Sequence, residues 1–335
     1  MKHYQASDGP LVSVREALRE GLRQSMLQDS SVFLMGEEVA EYQGAYKISK
    51  GLLDEFGPQR VIDSPISEYG FSGLGVGAAF MGLRPVIEFM SFNFSMQAID
   101  HIINSAAKTY YMSGGMIQSP IVFRGPNGMA AGVGAQHSQC FASWYMHCPG
   151  LKVVCPYDSA SAKGLLEASI QDPNPVVFLE HELMYGKSFP MPEVMDPWPL
   201  GKALVRKEGL HVTVVSFSFS LDLCLKAAEI LEGEGISLEV IDLCSLRPLD
   251  TQTVMESVSK THRMIVVEEG WPVCGVGSEI SAYIGQHAFD QLDAPIMRLA
   301  GRDIPLPYAQ NLEAACVPQV QDLIDCVRTL CQGAF

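Results

Sequence analysis

The sequence has no CxxC pair, no GxxxxGKS or GxxxxGKT loop, no HExxH and no GxSxG. These absences remove a zinc ribbon, a self-contained nucleotide phosphate loop, a zinc protease and a serine hydrolase elbow from consideration. Its nine cysteines are odd in number and irregularly spaced, so neither a metal cluster nor a disulfide framework is expected, and reduced thiols in a cytoplasmic setting are. Long apolar runs are missing too. The longest stretch free of Asp, Glu, Lys and Arg, Gly125 to Leu151, is broken by glycine, proline, glutamine and two histidines, which fits a pocket lining better than a membrane helix. The N-terminal "MKHYQASDGPLVSV" lacks the apolar core of a secretory signal, while an organelle matrix reached through a removed leader stays open. Positive charge is scarce: 23 Lys and Arg against 38 Asp and Glu leave a formal net charge of −15. Nucleic acid and anionic membrane are thereby disfavoured as main partners, and a partner with a basic patch is favoured.

What is present is ordinary globular material, 335 residues with 47% hydrophobic and 18% charged, enough for about two domains. Ser13 to Glu16, "SVRE", matches a capping box, and the apolar spacing after it predicts a helix from about residue 13. Then come apolar runs of strand length, "SVFLMG", "RVID", "RPVIEFM", "PIVFRG", "KVVCP" and "PVVFLE", separated by helix-length segments. That rhythm predicts an α/β fold, a mostly parallel sheet covered on both faces. "AIDHIINSAAKTYY" predicts one helix with Ile99, Ile102, Ile103, Ala106 and Tyr110 on a single face, and "SASAKGLLEASIQD" predicts another, ended by "DPNP". From Gly186 to Leu200 the chain turns proline-rich and aperiodic. The expected organisation is therefore a domain over 1–186, a linker over 187–200 and a smaller α/β domain over 201–335.

Ligands of open α/β sheets bind beyond the carboxyl ends of the strands, where Glu37, Glu68, Asn93 and Glu180 fall. As an acid opening a helix, Glu68 fits an N-terminal cap; as an acid between two apolar segments, it fits a proton donor or the partner of a basic ring nitrogen. The two uses are compatible. Of the adjacent Glu37 and Glu38, the second reads as a surface residue and the first, at the strand end, as a site candidate. His137 follows Gly128, Gly132 and Gly134, a run that lets backbone approach a ligand, and histidine carries protons near neutral pH. Gly73, Gly75 and Gly77 lack dinucleotide spacing and predict close helix packing.

Taken together, "FLMGEEVAEYQGAYKISKGL", "DSPISEYGFSGLGVGAAFMGLRPVIEFMSFNFSMQAIDHIINSAAKTYYMSGG", "AQHSQCFASWYMHCPGLKVV" and "NPVVFLEHELMYG" closely resemble the beta subunit of the pyruvate dehydrogenase component of the 2-oxo acid dehydrogenase complexes. This is a transketolase-like thiamine diphosphate family, and the likeness is densest over residues 32 to 186. It implies a pyrimidine-binding domain followed by a transketolase-type C-terminal domain, and a heterotetramer of two alpha and two beta chains with the cofactor shared between them. In the family the alpha chain grips diphosphate and magnesium through a GDG motif, and no GDG occurs here.

The resemblance further implies that Glu68 hydrogen-bonds a ring nitrogen of the aminopyrimidine, helping its exocyclic amine take the proton that activates the thiazolium carbon. It places Phe94 against the cofactor ring, Glu37 in an acidic relay and His137 where a proton is supplied as the two-carbon unit passes to a lipoyl group. A potassium site is implied at Ile121, Ser169, Asp172 and Asn174, and a helix ending before "DPNP" leaves carbonyl oxygens for such a cation. Asp293 and the carboxylate of Phe335 are implied contacts for the subunit-binding module of the dihydrolipoyl acetyltransferase. Two alternatives stay open at this stage: the same chemistry on acetoin or a branched-chain 2-oxo acid, and a non-catalytic assembly subunit.

Overall fold

In the computed structural model, residues 9–192 and 197–332 are described. They form two compact units, Met1–Asn127 with Trp144–Leu200, and Gly128–Ser143 with Gly201–Phe335. The carboxyl terminus, and with it the expected contact at Phe335, lies outside the described residues.

In the first unit the chain enters through the expected capping box. Ser13 Oγ accepts the Glu16 amide at 3.2 Å while the Glu16 carboxylate accepts the Ser13 amide, and the helix Val14–Gln28 follows. Its buried face, Val14, Ala17, Leu18, Gly21, Leu22, Ser25 and Met26, has helical spacing and packs on the helix Ser159–Gln171. Gly21 permits that approach, since a Cβ there would lie 3.3 Å from the Lys163 carbonyl oxygen.

The predicted strands pair in parallel, in the spatial order Lys152–Val154, Val176–Glu180, Val122–Pro126, Arg84–Glu88, Val32–Gly36, Val61–Asp63. Buried on both faces, they read as continuous apolar runs rather than alternating ones. The order reverses at Val32–Gly36: the next strand in sequence lies on one side of it and the one after that on the other. Such a reversal opens a crevice beyond the carboxyl end of the sheet.

The segment expected to form one helix over 98–111 is broken into parts. A 3₁₀ helix spans Phe92–Ala98, π-helical turns span His101–Ala106 and α-helix spans Ala107–Met112. Wider turns rotate the later side chains away from the expected stripe, so Ile102 and Ala106 are buried while Tyr110 is exposed. The glycine reading divides as well. A Cβ at Gly73 would meet the His101 ring at 2.8 Å and one at Gly75 would meet Ile87 Cδ1 at 2.6 Å, but at Gly77 the space is open.

In the second unit five strands lie in the order Met297–Leu299, Met264–Val267, Val212–Ser216, Leu238–Asp242, Leu204–Lys207. Neighbours are parallel except for the last pair. Helices Ser220–Glu232, Thr251–Thr261 and Val320–Gln332 supply the α part of the expected α/β domain. The unit also holds the antiparallel strand Leu204–Lys207 and the helix Val276–His287. This helix starts where the Glu268 carboxylate accepts the Val276 and Gly277 amides at 3.0 and 2.9 Å, satisfying donors that a first turn leaves open. Residues 128–143, read from sequence as part of the first domain, cluster with this unit.

Candidate active site

Glu37 and Glu68 come together at the sheet reversal. Glu37 directly follows the reversing strand, whose Gly36 amide and carbonyl sit against a neighbour so close that a Cβ would be 2.5 Å from the Glu88 carbonyl oxygen. Glu68 opens the helix Glu68–Phe80. The loop after Glu37 is tied down by Asp63, whose carboxylate accepts the Ala40 and Glu41 amides at 2.7 and 3.1 Å. Both acids are inside the unit, with 8% of Glu37 and 3% of Glu68 exposed.

The environment of Glu37 is poor in compensation. Burial raises the pKa of the Glu37 carboxyl, the like charge of Glu68 raises it further, and the Ser67 amide donating to it acts the other way. Glu37 Oε1 is buried and has no hydrogen-bond partner among the described residues. A buried carboxylate oxygen without a donor is costly. The pair therefore suits a ligand that brings a proton or an N–H into the crevice.

Phe94 lies in the 3₁₀ helix after the strand Arg84–Glu88 and is half-buried. Beneath that turn Phe92 is fully buried, edge-on to Phe89 and Tyr145, and Tyr145 and Ser95 share a hydrogen bond of 2.6 Å. A packed aromatic layer thus fixes the turn that presents Phe94.

His137 belongs to the second unit, at the end of the short helical turn Ala135–His137, and is an exposed residue. The residues of the implied potassium site gather in the first unit near the end of the helix Ser159–Gln171. The expectation of free carbonyls there meets a side chain that the sequence did not suggest. Arg84 Nη1 donates to the carbonyls of Ile170 at 2.7 Å and Asp172 at 3.2 Å. The Ile121 carbonyl accepts the Val176 amide, the Ser169 carbonyl accepts the Asp172 amide, and the Asp172 carboxylate pairs with Lys152 and accepts from Asn174. Among the described residues no group of three or more His, Cys, Asp or Glu is placed to hold a metal ion. Asp293 is exposed, 3.9 Å from Arg263.

Sequence reasoning missed the largest charged feature of the sheet. Arg124 is 0% exposed; its Nε donates to Glu180 Oε1 at 2.6 Å and its Nη1 pairs with Glu88. Tyr185 donates to Glu180 Oε2 at 2.7 Å. Burial raises the pKa of Glu88, and Arg124 opposes that. The signal was available, because an arginine inside the apolar run "PIVFRG" requires buried carboxylates as partners.

The chain matches known proteins along almost its whole length. The family model described as the transketolase pyrimidine binding domain matches residues 11–187, and that of the transketolase C-terminal domain matches residues 201–323. The pyruvate dehydrogenase E1 component subunit beta-1, mitochondrial, of Oryza sativa subsp. japonica is 61% identical, covering 96% of this chain and 87% of that protein. The pyruvate dehydrogenase E1 component subunit beta of Rickettsia felis is 57% identical over 96% of this chain and 98% of that protein. Among solved structures, a split gene transketolase described as an inactive beta4 tetramer aligns with a TM-score of 0.77 over 97% of this chain and 99% of that one. Its 22% identity makes this a likeness of fold. With both transketolase-type domains in order and relatives this similar end to end, the chain belongs to the family of pyruvate dehydrogenase E1 component beta subunits.

Proposed function

We propose that this chain supplies the aminopyrimidine half of a thiamine diphosphate site, completed by an alpha subunit in a heterotetramer of two alpha and two beta chains. The assembled enzyme decarboxylates pyruvate oxidatively and passes the acetyl unit to the lipoyl group of a dihydrolipoyl acetyltransferase. One observation carries the reading: a buried, partnerless Glu37 oxygen beside the buried Glu68, both at the reversal of the sheet. A buried acid oxygen with no donor of its own, beside a second buried acid, fits a basic heteroaromatic ring that arrives from outside the chain.

When bound, thiamine diphosphate supplies an activated thiazolium carbon and a sink for the electrons released on decarboxylation. Glu68 would hydrogen-bond the ring nitrogen, and its burial would keep bulk water from competing for that contact. Glu37, with its raised pKa, exchanges protons with that position. Phe94 sets the ring's orientation, and His137 supplies a proton during transfer to the lipoyl acceptor. Diphosphate and magnesium are gripped by the alpha subunit in this reading, since the chain has no GDG motif.

The finer assignments belong to the same proposal. A potassium ion would be held by Ile121, Ser169, Asp172 and Asn174, next to the point where Arg84 donates to the Asp172 carbonyl. Asp293 docks on the basic subunit-binding module of the acetyltransferase, helped by the net charge of −15. The compartment is the cytoplasm, or an organelle matrix where a leader has been removed. Among the described residues no helix is long and apolar enough to cross a membrane.

Co-purification with candidate alpha chains tests the proposal, followed by turnover with and without added thiamine diphosphate and magnesium. Pyruvate turnover is expected only in the assembled tetramer with both present. Activity of this chain alone, or a higher specificity constant for acetoin or a branched-chain 2-oxo acid, overturns it.

A further inference from the structure

The loop that carries His137 is tethered within its own unit by two carboxylates far away in sequence. Glu269 Oε2 accepts the Met129 amide at 3.0 Å. Glu313 accepts the Gly132 amide through both oxygens, at 3.1 and 3.2 Å. Both acids are buried, at 8% and 6% exposure, although each sits on a part of the chain more than a hundred residues from the loop. Hydrogen bonds to an ionised acceptor are roughly twice as strong as neutral ones.

The glycines make these contacts possible. Gly128, Gly132 and Gly134 have φ of +88°, +69° and +79°, the left-handed region that side chains avoid. At Gly128 a Cβ would lie 2.2 Å from Glu269 Oε1, and at Gly134 it would lie 2.5 Å from the ring of Tyr308. The Gly128 amide also donates to the Gln139 carbonyl at 2.9 Å, closing the loop on itself, and the His137 amide donates to the Gly134 carbonyl at 3.3 Å. Backbone on the N-terminal side of His137 is thus held at Met129, Gly132 and Gly134, while His137 itself is an exposed residue.

We propose that Glu269 and Glu313 are positioning residues: their carboxylates clamp the glycine loop so that His137 is presented in one orientation to the incoming acceptor. The clamp rests on the proton-donating role of His137 proposed above. A fixed donor keeps the high effective concentration that a wandering one loses, and a displacement of about 1 Å can cost about a hundredfold in rate. Glu313 is the cleaner probe, because a glutamine there keeps an oxygen able to accept the Gly132 amide and an alanine does not.

The experiment uses the tetramer assembled with its alpha subunit and reads two quantities. One is hydrogen exchange over residues 128–143; the other is kcat and KM for pyruvate with a lipoyl domain as acceptor. Glu313→Ala is expected to speed exchange in this segment and to lower kcat by about ten- to a hundredfold, with KM little changed. Glu313→Gln restores both. Gly134→Ala, which drives a methyl into Tyr308 without touching either acid, reproduces the kcat loss and covers the case where Glu313→Ala does not assemble. Unchanged exchange in Glu313→Ala, or a Glu313→Gln variant as impaired as the alanine one, overturns the clamp while leaving the role of His137 standing. If exchange accelerates but His137→Ala turns over normally, the role of His137 fails and the positioning assignment fails with it.

Discussion

Two sets of buried acids occupy neighbouring parts of one sheet, and they are built on opposite plans. Glu88 and Glu180 surround Arg124, and Tyr185 donates to Glu180, so charges and donors are matched inside the protein. Glu37 is buried within reach of the like charge of Glu68, and one Glu37 oxygen has no donor among the described residues. The first set completes itself on folding and acts as architecture, pinning the carboxyl ends of three adjacent strands. The second is left incomplete, at the place where the sheet order reverses. Like charge and burial kept together without a counter-ion cost stability, and the tolerance of that cost marks the site.

Four substitutions test this contrast, in order of expected effect. Glu68→Gln should leave a tetramer that assembles but loses decarboxylation by on the order of 10²–10⁴-fold, the usual scale for a proton-transfer group; near-normal turnover in a steady-state assay would favour an assembly role instead. Arg124→Met strands two buried carboxylates and should cost about 3–5 kcal/mol in denaturant unfolding. A loss of under about 1 kcal/mol, the scale of a surface pair, would erase the distinction between the two sets. Tyr185→Phe removes one hydrogen bond to a charged acceptor and should cost about 1.5–3 kcal/mol by the same measurement.

Glu37→Gln should do the opposite and stabilise the fold, in a pH-dependent way. Its folded-state pKa lies above the ordinary value of 4.5, so folding favours the protonated acid. The penalty is absent below pH 4.5, where the acid is protonated in both states, and grows as pH rises through the raised folded pKa. Unfolding midpoints of wild type and variant should therefore converge in acid and separate toward neutrality, with the variant higher. Parallel curves would mean that the charged Glu37 carboxylate is no worse accommodated in the folded chain than in the unfolded one.

The strands and the first helix were readable because their causes are local. A capping box at Ser13 and Glu16 and apolar runs such as "PIVFRG" act through neighbours in sequence. Glu68 and Glu37 could be singled out for a similar reason, since strand ends in an α/β rhythm are where ligands bind. The helix over 98–111 was misread because its π turns change the periodicity on which the expected face depended. Arg84 on the Asp172 carbonyl and Glu313 on Gly132 were out of reach, joining residues 88 and 181 positions apart.

By itself, then, the sequence determined the α/β alternation, the helix starts and the short list of acids and the histidine from which a site is made. Those follow from turn chemistry and from apolar runs, which are properties of adjacent residues. Only the tertiary structure decided which acids would be paid off by an arginine and which left within reach of a like charge, and that residues 128–143 would join the second unit. Burial and charge pairing are set when distant segments meet, and an isolated stretch of chain carries no record of its eventual neighbours.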